Sequence, residues 1–301
     1  MELQQRTLAK PVTMSGVGVH SGKKVTLTLK PAPINHGIQF RRVDLPDSPR
    51  LSAHFNRVVD TSLATVIGEG GCIVSTIEHL MAAFAGMSVD NALVELDNYE
   101  LPIMDGSAAP FVRHMREAGF KRQSGAKCFL VIQAPIHIRE GNKSVRITPA
   151  PHFRITCTID FPHPLIGRQT YSLEVADRCF EKEIAGARTF GFLHEIEYLK
   201  RFGLARGGTL ENALVISEKG ILNKNGLRFP DEFVRHKILD SIGDFSLLGL
   251  PILGHVEANR SGHAFNHAFL KEIFARKEAW ETRTYHDLQE FGQFNPQLLA
   301  V

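Results

Sequence analysis

No stretch of this chain approaches the ~18 consecutive apolar residues that a membrane-spanning helix needs. The opening segment, Met1 to Lys10, is polar and lacks the apolar core of a secretory signal. Cysteine is scarce: Cys72, Cys128, Cys157 and Cys179 stand far apart and form no CxxC pair. That excludes a cysteine-based zinc or redox motif, and four such positions make no disulfide framework for a chain of 301 residues. Reduced, buried thiols are expected, in a cytoplasmic protein. Neither charge sign dominates. The formal net charge is +3 and dispersed, which excludes a nucleic-acid surface but suits a small anionic substrate, such as one carrying phosphates. Low-complexity sequence is absent too.

What is present is ordinary globular composition, 43% hydrophobic and 22% charged. The length suggests two domains, each with a core of its own. Val25, Leu27 and Leu29 alternate with Thr26, Thr28 and Lys30, which predicts a half-buried strand. Ser75 to Gly86 reads as a helix with Ser75 as its N-cap, followed by a strand over 91–96. Pro110 to Gly119 reads as a second helix. The polar stretch Lys121 to Lys127 is taken as the domain boundary, dividing the chain into 1–125 and 126–301. Strands are predicted over 128–132, 144–148 and 153–159. Helices are predicted over 174–184, 193–202, 231–247 and 268–280. This mixed order, without steady βαβ alternation, predicts an α+β fold. A weak internal echo supports duplication: Glu78-His79 and Arg235-His236 each lie on a helix followed by a strand.

The sharpest local signal is His236-Lys-Ile-Leu-Asp240. On a helix, i and i+4 share a face, so imidazole and carboxylate can hold one zinc ion together. Val234, Ile238, Ile242 and Phe245 form the apolar stripe of the same helix, and His236 and Asp240 stand off it. The competing reading is a solvated polar face with an i,i+4 ion pair. A catalytic zinc takes three protein ligands and leaves a fourth position open. His79 is the third candidate, with Glu78 beside it to accept a proton from the attacking water. The alternative for Glu78 is the capping box Ser75-Thr-Ile-Glu78, with Glu at N3. His263, in Arg260-Ser-Gly-His-Ala-Phe-Asn266, lies in a loop or at a helix entry, and Asp244 could hold it protonated. Otherwise it is a loop histidine without a role.

Six segments taken together resemble one family, the bacterial UDP-3-O-acyl-N-acetylglucosamine deacetylases, the zinc enzymes of lipid A synthesis. They are Gly16-Val-Gly-Val-His-Ser-Gly22, Thr76-Ile-Glu-His-Leu80, Pro102-Ile-Met-Asp-Gly-Ser107, Ala187-Arg-Thr-Phe-Gly-Phe192, Glu232-Phe-Val-Arg-His-Lys-Ile-Leu-Asp240 and Ser261-Gly-His263, in the expected order. The resemblance implies two similar two-layer α/β sandwich domains, each with a small insert and with the active site between them. It implies one catalytic Zn2+ on His79, His236 and Asp240. It makes Glu78 the general base and His263 the acid or charge stabiliser, backed by Asp244. Thr189 would help the oxyanion, and Lys237 and Phe190 would meet the sugar. Lys143, Asp160, Phe161 and Arg260 would meet the nucleotide, with Arg260 standing where lysine is expected. Leu63 would lie at the mouth of the site. An insert over about 189–216, with Phe192, Ile196 and Leu199, would line a passage for the acyl chain, where Gly207 and Gly208 leave room.

The implied reaction is hydrolysis of the 2-acetamido group of an acylated UDP-sugar to acetate and the free amine, the committed step of lipid A biosynthesis in a Gram-negative bacterium. The chain is expected to act as a monomer. A non-catalytic sugar-nucleotide or lipid binder is the other class. It would have little reason to keep Glu78, His79, His236, Asp240 and His263 together.

Overall fold

The computed structural model describes residues 3–284 and Asp287. Strands and helices mix as an α+β fold. The first half is built on a five-stranded sheet in the order Val12–Val17, Lys24–Pro31, Ala92–Leu96, Ile38–Arg42, Arg50–Ser52. Val25, Leu27 and Leu29 are fully buried on one face of its second strand, as their alternation requires. The second half is built on a seven-stranded sheet. Ile252–Asn259 lies inside it, between Lys143–Thr148 on one side and Cys128–Ile132 and Phe153–Phe161 on the other. Each half also carries a small three-stranded sheet. One comprises Val58–Asp60, Val66–Glu69 and Cys72–Val74, the other Phe190–Phe192, Leu214–Ser217 and Gly220–Ile221.

The helices are α1 (Glu78–Gly86), α2 (Ala109–Ala118), α3 (Asp177–Cys179, continued by a π turn over Phe180–Ile184), α4 (Leu193–Arg201), α5 (Glu232–Ser246) and α6 (His263–Ala275). Among the described residues no helix is long and apolar enough to cross a membrane. α1 packs along α5, α2 lies against α1, and α6 lies against α5.

That pairing overturns one expectation. The buried apolar side chains do not form a core for each half. Most form one contiguous cluster running from Leu8 to Ala279, with Phe129, Val131 and Leu253 in a small separate one. The reason is that α1 and α5 are buried on nearly every side, so each serves as the other's core. Their contact is close because residue 243 has no side chain. A Cβ on Gly243 would stand 2.0 Å from the backbone oxygen of Glu78 and 3.0 Å from its Cα. Gly243→Ala is therefore expected to cost at least the ~1–3 kcal/mol of core overpacking, because backbone rather than a flexible side chain must yield. Denaturant unfolding measures this, and wild-type stability in that variant would mean the helices can part freely.

Other boundaries move. The polar stretch 121–127 is not a linker. Phe120–Ala126 is a strand paired antiparallel with Gln4–Leu8. The helix expected from residue 174 begins at Asp177, since Gly167–Glu174 is a strand. The last helix starts at His263 rather than 268, and Trp280 opens a strand. Ser75 does not cap α1. The residue before the helix is Ile77, no side chain caps it, and Glu78 is the first helical residue rather than the third. The four cysteines are unpaired, yet only Cys72 and Cys157 are buried, while Cys128 is half-buried and Cys179 exposed. The expected second half reached residue 301, and most of 285–301 lies outside the described residues.

Candidate metal centre

α5 places Glu232, His236, Asp240 and Asp244 at successive intervals of four, so a stripe of ionisable groups runs along one side of the helix. All four are buried, which rules out the solvated polar face. Burial is supplied by the first turn of α1, which brings Glu78 and His79 onto that stripe, and by the first turn of α6, which brings His263.

His79, His236 and Asp240 converge, with one ligand atom from each lying within 4.8 Å of the others. Asp240 Oδ1 is 3.3 Å from His236 Nε2 and 3.5 Å from His79 Nε2. The two imidazoles meet edge to face at 5.0 Å between centroids. His236 Nδ1 donates to the Ala187 carbonyl at 3.1 Å, which fixes the tautomer and leaves the Nε2 lone pair free. Burial lowers His236 to about 3, with His79 and Lys237 assisting and Asp240 opposing, so the ring is neutral at pH 7. Asp240 is held well below the usual carboxylate range. Burial works the other way, but His236, Lys237, His79 and His263 outweigh it. Lys237 Nζ donates to Asp240 Oδ2 at 2.6 Å. Asp240 Oδ1 is buried and has no hydrogen-bond partner. A buried carboxylate oxygen left so is costly unless a cation takes it. Two imidazoles and a carboxylate suit a divalent ion such as zinc, and they leave a fourth position open.

Beside this group, Glu78 Oε2 accepts from the Thr65 amide at 3.0 Å, and Oε1 lies 4.0 Å from His263 Nε2. The capping box is thereby excluded, since the carboxylate serves Thr65 and not its own helix. Burial raises the Glu78 carboxyl, while His263 and His79 draw it back. His263 Nδ1 donates to Asp244 Oδ2 at 2.9 Å. Burial opposes its charge, but Asp244, then Glu78 and Asp240, raise the imidazole to about 10. The free imidazole titrates near 6.5. In the metal-free protein the stabilisation from this pair is thus fully present below about pH 6.5 and is lost as pH rises through 10. The stability deficit of His263→Ala, followed by denaturant unfolding, should shrink across that window, and a constant deficit would count against the pair.

The remaining candidates surround this centre unevenly. Phe190 lies 6.3 Å from the His236 ring and packs on Phe233 and Phe161. Phe192 also packs on Phe161. Thr189 is held through its backbone, donating to Gly106 O at 2.8 Å and accepting from Leu214 N at 2.8 Å. Lys237, expected at the sugar, has its ammonium on Asp240. Asp160 and Arg260 pair with each other. Lys143 is exposed at the same end of the sheet, since Ser144 pairs with Asn259. Leu63 is exposed two residues before Thr65. Ile196 and Leu199 are half-buried on α4, with Ile196 against Gly191. At Gly208 a Cβ would fit without a clash, in van der Waals contact with the Ala205 carbonyl oxygen at 3.4 Å. Gly207 has a different reason for its missing side chain. A Cβ there would meet the Gly18 carbonyl at 2.2 Å, so the glycine serves backbone packing rather than room.

Sequence reasoning missed three participants. Asn266 donates to Asp244 Oδ2 at 2.8 Å, and its i+3 position after His263 was the available signal. Glu232 accepts from Arg188 N and Nε and from Arg228 N, pinning the segment whose Ala187 carbonyl orients His236. Its signal was the spacing of four ahead of His236. Thr65 had no local signal at all.

Residues 5–275 match the family model described as UDP-3-O-acyl N-acetylglycosamine deacetylase. The UDP-3-O-acyl-N-acetylglucosamine deacetylase of Myxococcus xanthus (strain DK1622) is 55% identical over 277 residues, covering 92% of this chain and 88% of its own length. The protein of the same name from Syntrophotalea carbinolica (strain DSM 2380 / NBRC 103641 / GraBd1) is 51% identical over 279 residues, 93% of this chain and 90% of its own. That of Geobacter sp. (strain M21) is 50% identical over 276 residues, 92% and 90%.

Proposed function

Because the chain belongs to the UDP-3-O-acyl-N-acetylglucosamine deacetylase family, we propose that it hydrolyses the 2-acetamido group of a UDP-3-O-acyl-N-acetylglucosamine, using one Zn2+. The products are acetate and the UDP-3-O-acyl-glucosamine, and the reaction is the committed step of lipid A biosynthesis. The supporting observation is the convergence of His79, His236 and the partnerless Oδ1 of Asp240, with Glu78 and His263 close to each other beside them. The chain works in the cytoplasm as a monomer, its first half supplying Glu78 and His79 and its second half His236, Asp240 and His263.

His79, His236 and Asp240 would hold the ion, which when bound would supply Lewis-acid chemistry to the amide carbonyl and to water. Glu78, with one oxygen tied to Thr65 and the other facing His263, takes the proton from the attacking water. The Thr189 hydroxyl stabilises the oxyanion. His263, kept charged by Asp244, protonates the departing sugar nitrogen as the C–N bond breaks. Lys237 holds Oδ2 of Asp240 and so leaves Oδ1 as the oxygen that would serve a cation.

Phe192, Ile196, Leu199 and Gly208 receive the acyl chain, and Phe190 meets the sugar. Phe161, Asp160, Arg260, Lys143 and Leu63 line the approach of the nucleotide and sugar. Burying each methylene is worth ~0.8 kcal/mol, so removing the acyl chain should weaken binding by orders of magnitude. The test is acetate release from acylated and deacylated UDP-sugars, with metal content measured on the same sample. Absence of acetate from the metal-loaded protein with the acylated substrate sinks the hydrolase reading. Equal efficiency on both substrates sinks the acyl passage.

A further inference from the structure

Thr65 ends the loop that leads into the strand Val66–Glu69 of the small sheet, and it is only 2% exposed. All of its polar groups are committed at the candidate centre. Its amide donates to Glu78 Oε2 at 3.0 Å. Its carbonyl accepts from the Ile77 amide, at the mouth of α1, at 3.3 Å. Its hydroxyl donates to Asp244 Oδ1 at 2.6 Å. Among the described residues it is the one hydrogen-bonded to both carboxylates that flank the metal group.

The hydroxyl also bears on His263. His263 Nδ1 lies 2.9 Å from Asp244 Oδ2 and 3.3 Å from Thr65 Oγ1. The hydroxyl's single proton goes to Asp244, so its lone pairs face the imidazole and share the Nδ1 proton. That arrangement leaves Nε2 pointing toward Glu78 and the open side of the site. Asp244 then receives three donors, from Thr65, Asn266 and His263, and cannot rotate without breaking at least one.

We infer that Thr65 is a positioning residue for both proton-transferring groups, its amide setting the base Glu78 and its hydroxyl setting the Asp244–His263 pair. The inference rests on the hydrolase reading. It has a physical motive: a base and an acid that act in one turnover must keep a fixed separation, and small misplacements are costly. Glu78 is on α1, whereas Asp244 and His263 are on α5 and α6. A single residue bonded to both sides, by its amide and by its hydroxyl, removes the relative freedom of the three helices at the point where it matters.

Two substitutions separate the hydroxyl's bonds from mere packing. Thr65→Val keeps the shape and the backbone amide but deletes the hydroxyl. Thr65→Ser keeps the hydroxyl and deletes a methyl. The valine variant is expected to lose kcat by about 10-fold or more, the worth of one hydrogen bond to a charged group, with KM unchanged. The serine variant is expected to recover most of the kcat. In metal-free protein, proton NMR should show the hydrogen-bonded Nδ1–H of His263 in wild type and in the serine variant, broadened or lost in the valine variant. If the valine variant does not fold, Thr65→Ala is measured against Thr65→Ser by the same criteria. A hydroxyl-free variant that keeps wild-type kcat overturns the inference, as does a serine variant that falls as far as the valine one. A wild-type protein that releases no acetate overturns the hydrolase reading and this inference with it, whereas an active wild type with an indifferent valine variant overturns this inference alone.

Discussion

Glu78→Gln is expected to lower turnover by about 10²–10⁴-fold, the usual contribution of a general base, while the metal-free protein melts at or above the wild-type temperature. The two halves of that expectation have one cause. The carboxyl of Glu78 is wholly buried, and burial raises its pKa, with Asp240 and Asp244 adding and His263 and His79 opposing. A group raised in the folded state binds its proton more tightly there than in the unfolded chain. It therefore weighs against folding as pH climbs above the ordinary carboxylate range. The neutral amide escapes this cost and keeps an oxygen for the Thr65 amide. What it loses is the capacity to take a proton. Near-wild-type turnover in Glu78→Gln would remove this residue from the chemistry. A large drop in melting temperature would mean that the carboxylate serves structure after all.

Replacing His236 by alanine should remove the metal and the activity together. The wild type is expected to carry one ion per chain by elemental analysis, and His79→Ala, His236→Ala and Asp240→Ala much less than one. Chelation of the wild type should abolish turnover and also lower the melting temperature. The ligands come from α1 and α5, whose packing joins the two halves into one core, so an ion bound only by the folded form stabilises that joint. Secondary structure should persist, since the helices are held by Leu80, Met81, Ile238, Ile242 and their neighbours rather than by the ion. Full turnover in metal-free protein would overturn the zinc reading.

The strands with a clear apolar pattern were legible along the chain. The alternation of Val25, Leu27 and Leu29 marked one, and the continuous apolar run Cys128–Ile132, buried at successive positions, marked another with the predicted limits. The strand Phe120–Ala126 was not legible. It pairs only with Gln4–Leu8 in a two-stranded ribbon, buries little, and so carries no apolar alternation. The start of α1 misled for another reason. Ser75-Thr-Ile-Glu78 has the residues of a capping box, but Thr76 takes φ +59 and the helix begins at Glu78, so the spacing of three never falls within a helical turn.

Local pattern was enough to place His236, Asp240 and Asp244 on one side of a single helix, because a spacing of four needs nothing beyond helix geometry. Resemblance in six short segments was enough to suggest what that side is for. Whether the polar stripe met water or another helix could not be read from residue order. Val234, Ile238, Ile242 and Phe245 would make the same amphipathic pattern either way. The answer depends on how near α1 comes to α5, and that distance is set by a glycine at 243 facing the backbone of Glu78. Thr65 belongs to the same class. Its three bonds reach α1 and α5, elements that no local propensity brings together, so its place at the centre exists only once the halves have packed into one core.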